Sequence, residues 1–170
     1  MEKITTNNAE QTQKLGEGFA KEILTLRQAQ GKKTAVVLGL QGDLGGGKTT
    51  FLQGFAKGLG IKEKILSPTF IIYRKFQITK QHVCKNGRSS ILQRRYFYHF
   101  DCYRINNPEE ILELGFEEII SNPQNIVAIE WSEKIKKILP KNLIVIKFRF
   151  IYPERDRRVD KNKREILIKP

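Results

Sequence analysis

The residues from Gly42 to Thr50 carry the strongest chemical signal in the chain. They read Gly42, Asp43, Leu44, Gly45, Gly46, Gly47, Lys48, Thr49, Thr50 and fit the pattern G-x-x-x-x-G-K-[ST]. Gly42, Gly47, Lys48 and Thr49 occupy its fixed positions. Each residue type has a reason. Glycines let the backbone curl so that successive N–H groups point inward at phosphate oxygens, and a Cβ there would block the approach. A lysine after the last glycine reaches the β- and γ-phosphates, and the hydroxyl that follows can ligate Mg²⁺. The chemistry implied is capture of a nucleoside triphosphate with its magnesium ion.

Other residues could complete such a site. Asp101 closes the run Tyr96–Phe100 (YFYHF), and Glu130 closes Asn125–Ile129 (NIVAI). Phosphate-loop folds often end a strand in an acid that holds Mg²⁺ directly or through water. Two such acids exceed what one metal needs directly, so one can ligate through water while the other orients the attacking water. Thr69, in Ser67-Pro68-Thr69-Phe70, stands where a loop threonine senses the γ-phosphate. By itself the same tripeptide reads as an ordinary turn. His99 lacks metal-ligand partners and reads as structural. Trp131, the sole tryptophan, reads from its surroundings as core packing.

The elements that must position these residues follow from hydrophobic periodicity. Thr34–Leu40 (TAVVLGL) predicts a buried strand before the loop, and Thr50–Leu59 a helix after it. Residues 9–29 predict an amphipathic helix with Leu15, Phe19, Ile23 and Leu26 on one stripe, capped by Asn7 or Asn8 and ended by Gly31. Ile71–Tyr73 reads as a strand, and 74–95 as a long basic connection. Asn107-Pro108-Glu109-Glu110 is a helix start, interrupted at Gly115. Glu133–Leu139 predicts a short helix. Leu143–Ile151 and Arg164–Lys169 alternate and predict an antiparallel pair around the charged turn Tyr152–Asn162. The fold expected is α/β: a phosphate-loop NTPase with a mostly parallel central sheet, flanking helices, and antiparallel strands at the C-terminal end. No internal boundary divides residues 1–170, so one domain is expected.

Composition bounds the setting. No apolar run approaches the roughly 18–20 residues of a membrane span, and the polar start MEKITTNNAEQTQ lacks a signal core. Cys84 and Cys102 form no metal-spaced pair and read as free thiols of a reducing, cytoplasmic compartment. The net charge of +13 is uneven: residues 64–100 hold 8 basic and no acidic side chains, whereas 101–133 hold 1 basic and 8 acidic. Such asymmetry fits a polyanion surface, an acidic protein partner or a solvated basic face.

Four elements in order, GDLGGGKTT at 42–50, SPTF at 67–70, HFDCYR at 99–104 and EWSE at 130–133, resemble the bacterial TsaE (YjeE) family. The resemblance extends to NPEE at 107–110 and LP at 139–140. It implies the ATPase of the machinery that makes N6-threonylcarbamoyladenosine in tRNA, with ATP and Mg²⁺ as cofactors and TsaB and TsaD as partners. It further implies that Leu44, Gly45, Gly46, Gly47, Lys48, Thr49 and Thr50 hold the phosphates. Thr49 and Glu130 would stand at the metal, with Asp101 supporting the metal or its water. Thr69 would act as the switch threonine, and Trp131 would lie over the nucleotide. Lys48, Asp101 and Glu130 are the catalytic candidates. No arginine finger is evident in the motifs; Arg104 is a candidate that follows a tyrosine. Slow hydrolysis awaiting a partner is the physical expectation. The connection 74–95 is longer and more basic than the family leads one to expect, and suggests contact with tRNA or an acidic partner. The competing reading is a small phosphate-loop kinase of a nucleoside or metabolite, with 74–95 as its lid.

Overall fold

The computed structural model describes residues 2–30, 33–66, 72–78, 95–151 and 163–169, the side chains of 27–30 excepted. Gly31, the Ser67–Phe70 element with Thr69, most of the basic connection with His82, Cys84 and Arg94, and the 152–162 turn lie outside the described residues.

Seven strands form one sheet in the order β1-β7-β6-β2-β5-β4-β3. Its centre is β2 (Val36–Gln41), flanked by β5 (Asn125–Glu130) and β6 (Ile144–Phe150), both parallel to it; β4 (Tyr96–Asp101) continues the parallel set beyond β5. Val36, Val37, Leu38 and Leu40 are all buried, as a strand covered on both faces requires. The flanks are antiparallel. β7 (Arg164–Lys169) returns along β6, β1 (Glu2–Thr6) pairs with β7, and β3 (Tyr73–Gln77) pairs with β4.

On one face lie α1 (Ala9–Gln30) and α2 (Lys48–Gly58). Asn8 caps α1 by accepting from the Gln11 N–H at 2.8 Å. Phe51, Leu52 and Phe55 of α2 are fully buried, each adding about 1.5–3 kcal/mol of hydrophobic stabilisation. They share one core with Leu38, Leu40, Phe97 and Phe148. The two helices touch backbone to backbone. A Cβ on Gly54 would stand 1.9 Å from the Gln13 carbonyl oxygen, so only glycine permits this approach. On the other face lie α3 (Glu109–Leu112), α4 (Phe116–Ser121) and a 3₁₀ helix (Ser132–Ile138), over a second core containing Phe100, Phe116, Ile129 and Ile135. At α3 the Asn107 side chain accepts from the Glu109 N–H at 3.2 Å while Glu110 accepts from the Asn107 N–H at 3.0 Å, a reciprocal cap.

Two local expectations change, and one further strand appears. The strand expected at 71–73 instead runs Tyr73–Gln77. Its polar residues are held from across the ladder: the Lys75 ammonium lies 4.0 Å from the Tyr96 ring centroid. β1 has no apolar alternation of its own and exists because β7 offers it an edge, with Ile4 opposite Ile166. The helix expected at 133–139 is 3₁₀ and begins at Ser132, directly after a left-handed Trp131.

Candidate nucleotide site

Parallel strands place their carboxyl ends on one edge of a sheet, and that edge is where α/β folds bind ligands. Here it gathers Gln41, Asp101 and Glu130 from β2, β4 and β5. The loop from Gly42 to Gly47 follows the central strand directly. Gly42, Gly45 and Gly47 have φ of 132°, 73° and 101°, the left-handed region that glycine adopts without penalty. Leu44 forms the outer bend and is 73% exposed. Thr50 lies in the first turn of α2, partly buried.

The Lys48 ammonium folds back along the loop. It donates to the carbonyls of Gly42 at 2.6 Å and Asp43 at 2.8 Å. It also sits 4.0 Å from the centroid of the Trp131 ring. Burial pushes its pKa down from the usual lysine range, against the pull of Glu130, Glu133, Asp101 and Asp43.

Thr49 and Glu130, distant in sequence, meet here. The Thr49 hydroxyl lies 2.8 and 2.9 Å from the two Glu130 carboxylate oxygens and donates to them. Glu130 is buried, and its Oε1 also accepts from His99 Nε2–H at 2.9 Å. His99 is fully buried, and its Nδ1 has no hydrogen-bond partner among the described residues. Asp101 is the register neighbour of Glu130 across the β4–β5 ladder. Its Oδ1 accepts from the Tyr103 N–H at 3.0 Å, which turns the chain out of the strand.

Trp131 is the only non-glycine described residue with positive φ, at 58°. Such a conformation costs about 1–3 kcal/mol and persists where surroundings enforce it. Here the ring lies between Lys48 and the Tyr103 ring, whose centroid is 5.1 Å away. Behind it the buried Ser132 hydroxyl accepts from the Gln41 amide at 3.3 Å. Trp131 thus borders the loop as well as packing against the second core.

Lys48, Thr49, Glu130 and Trp131 are therefore brought together, with Asp101 alongside; Arg104 is exposed. His99, which reads from sequence as structural, is fully buried and bonds the Glu130 carboxylate. The available signal was strand alternation: His99 and Asp101 are two apart on β4 and face the same side. Cys102 lies in the second core, its thiol buried and pushed up to about 12 by that burial.

A hard cation fits the donor set of hydroxyl and carboxylate oxygens at Thr49 and Glu130. Among the described residues no cluster of three or more His, Cys, Asp or Glu side chains could hold a metal alone. Where proteins hold Mg²⁺, it takes one or two carboxylates and completes its shell with phosphate and water.

Residues 6–159 match the family model described as threonylcarbamoyl adenosine biosynthesis protein TsaE. The chain is 34% identical over 166 residues to the tRNA threonylcarbamoyladenosine biosynthesis protein TsaE of Rickettsia typhi, covering 97% of this chain and 92% of that one. It is 33% identical over 133 residues to the protein of the same name from Haemophilus influenzae, covering 78% and 72%. Among solved structures, the crystal structure of YdiB from Bacillus subtilis superposes with a TM-score of 0.60 at 27% identity, over 97% of this chain and 82% of that one. With a sheet parallel at its centre and helices on both faces, and a family match over nearly its whole length, the chain belongs to the TsaE family of tRNA threonylcarbamoyladenosine biosynthesis.

Proposed function

We propose that this chain is a magnesium-dependent, slowly hydrolysing ATPase that supports threonylcarbamoyl modification of tRNA adenosine beside the anticodon, acting with TsaB and TsaD. The observation that carries the reading is the Thr49 hydroxyl on the Glu130 carboxylate, at 2.8 and 2.9 Å, beside the buried Lys48 ammonium. Amides of Leu44, Gly45, Gly46, Gly47, Lys48, Thr49 and Thr50 bind the phosphates. Lys48 exchanges its loop carbonyls for phosphate oxygens. Thr49 and Glu130 would hold Mg²⁺, which would supply charge neutralisation to the phosphates. Asp101, next to Glu130 in register, orients the water of the metal or of the attack. His99 keeps the Glu130 carboxylate turned toward Thr49. Trp131 covers the site, and Thr69 serves as the switch threonine.

With Arg104 exposed, hydrolysis stays slow until a partner completes the site. In this reading the carbamoyl transfer belongs to TsaD and the present chain drives repeated turnover. The block of 8 basic and no acidic residues from 64 to 100, within a net charge of +13, supports contact of segment 74–95 with tRNA or an acidic partner face. No helix among the described residues is long and apolar enough to cross a membrane. The working compartment proposed is the cytoplasm.

The test is phosphate release from ATP with Mg²⁺, with and without the TsaB–TsaD pair, for the natural chain, Lys48→Ala and Glu130→Ala. Both variants should lose hydrolysis, and the pair should accelerate the natural chain. Normal hydrolysis by either variant overturns the site assignment. Phosphate transfer to a nucleoside instead of water favours the kinase reading. Reversing charge at Arg94 and Arg95 should weaken assembly in a salt-dependent way; unchanged binding removes the basic segment from the interface.

A further inference from the structure

The C-terminal hairpin reaches the phosphate loop. Because β7 runs antiparallel to β6, its first residue stands at the carboxyl edge of the parallel strands, where the loop lies. That residue is Arg164, opposite Phe150 on β6 and Thr6 on β1. Its guanidinium rests over the Phe150 ring, 4.8 Å from the centroid. Its Nη1 donates to the Lys163 carbonyl at 3.2 Å and its Nη2 to the Gly45 carbonyl at 3.3 Å. Its Nε and Cδ lie 3.6 and 3.9 Å from the point where a Cβ on Gly47 would stand. The Phe150 ring is 3.9 Å from the same point on Gly45.

We propose that Arg164 is a positioning residue of the nucleotide site, bracing the loop at Gly45 and Gly47 for nucleoside di- and triphosphates alike. This rests on the nucleotide-binding reading above. A loop of left-handed glycines gains its freedom from the absence of side chains, and the same freedom is lost when a ligand orders it. A planar, hydrogen-bonded guanidinium set on a ring removes part of that disorder beforehand. It also adds a permanent positive charge beside the anion site, since arginine does not deprotonate in proteins. Both effects act on phosphates already present in ADP. Arg164 therefore governs how tightly the nucleotide is held, whereas an arginine finger would govern the rate of hydrolysis.

The experiment measures ADP and ATP dissociation constants, and kcat and KM for ATP, for the natural chain, Arg164→Ala, Arg164→Gln and Phe150→Leu. Nucleotide-free melting curves establish that each is folded. Arg164→Ala should weaken ADP and ATP by a similar factor of roughly ten, the loss of one charge-assisted contact, with kcat changed less than about twofold. Arg164→Gln keeps a donor and should lose less. Phe150→Leu keeps the charge but removes its platform, and should weaken both nucleotides even if Arg164→Ala does not fold. A lowered melting temperature with unchanged dissociation constants overturns the proposal, as does a fall in kcat with ADP binding intact. If the natural chain binds neither nucleotide, the ATPase reading falls and this one with it. If the natural chain binds and all variants bind equally well, only the role of Arg164 falls.

Discussion

Replacing His99 by phenylalanine keeps a ring in a fully buried position and removes the N–H that Glu130 accepts. A hydrogen bond to a charged group contributes about 1.5–3 kcal/mol. The phenyl ring is also slightly large for the space, and overpacking costs about 1–3 kcal/mol. His99→Phe should therefore destabilise by about 3–5 kcal/mol in total. The packing share is the same whatever stands at 130, but the hydrogen-bond share depends on its charge. In a Glu130→Gln background the acceptor is neutral, so a coupling energy of about 1–2 kcal/mol should separate His99 and Glu130 in a double-mutant cycle. Equilibrium urea unfolding of the natural chain, the two single variants and the double variant measures it, with equal m-values as the check on two-state behaviour. Nucleotide titrations should add that His99→Phe raises the magnesium concentration needed for binding. A coupling below about 0.5 kcal/mol would mean that His99 only fills space, and that Glu130 is oriented by Thr49 alone.

Gly54→Ala should cost about 3 kcal/mol or more in thermal or urea melts, because its Cβ would stand 1.9 Å from the Gln13 carbonyl oxygen and α1 and α2 would have to separate. Gly18→Ala on the same helix pair meets open space and should instead stabilise by about 0.5–1 kcal/mol. The Cys102 thiol, pushed up to about 12 by burial, should resist alkylation at pH 8.5 in the native protein and react in urea, as read by mass spectrometry of its peptide. The folded chain keeps that proton while the unfolded chain loses it. The Cys102 contribution to stability is therefore complete below about pH 9 and is lost as pH rises toward 12. Lys48→Ala should change the emission of Trp131, whose ring the ammonium approaches to 4.0 Å; an unchanged spectrum without nucleotide would remove that contact in solution.

The parts of this protein whose signal is local can be read from the chain alone. A glycine loop between an apolar strand and an amphipathic helix can be read from consecutive residues, because glycine spacing and 3.6-residue periodicity belong to the segment itself. The same holds for the strands ending in Asp101 and Glu130, and for the reciprocal cap at Asn107. Features that depend on residues far apart came only with the folded sheet. β1 forms only because β7, at the other end of the chain, offers its edge, so EKITT carries no strand pattern alone. β3 has one buried core residue, Phe76, and is otherwise held by rings of the next strand, as Lys75 is by Tyr96. Thr49 and Glu130 lie 81 positions apart and meet because β2 and β5 are parallel neighbours in one register. His99 became a partner of Glu130 only when β4 took its place beside β5. Arg164 came to the loop at Gly45, 119 positions earlier, because an antiparallel return strand begins at the edge where the parallel strands end. In each case the side chain was visible in sequence, and the strand order supplied its neighbour.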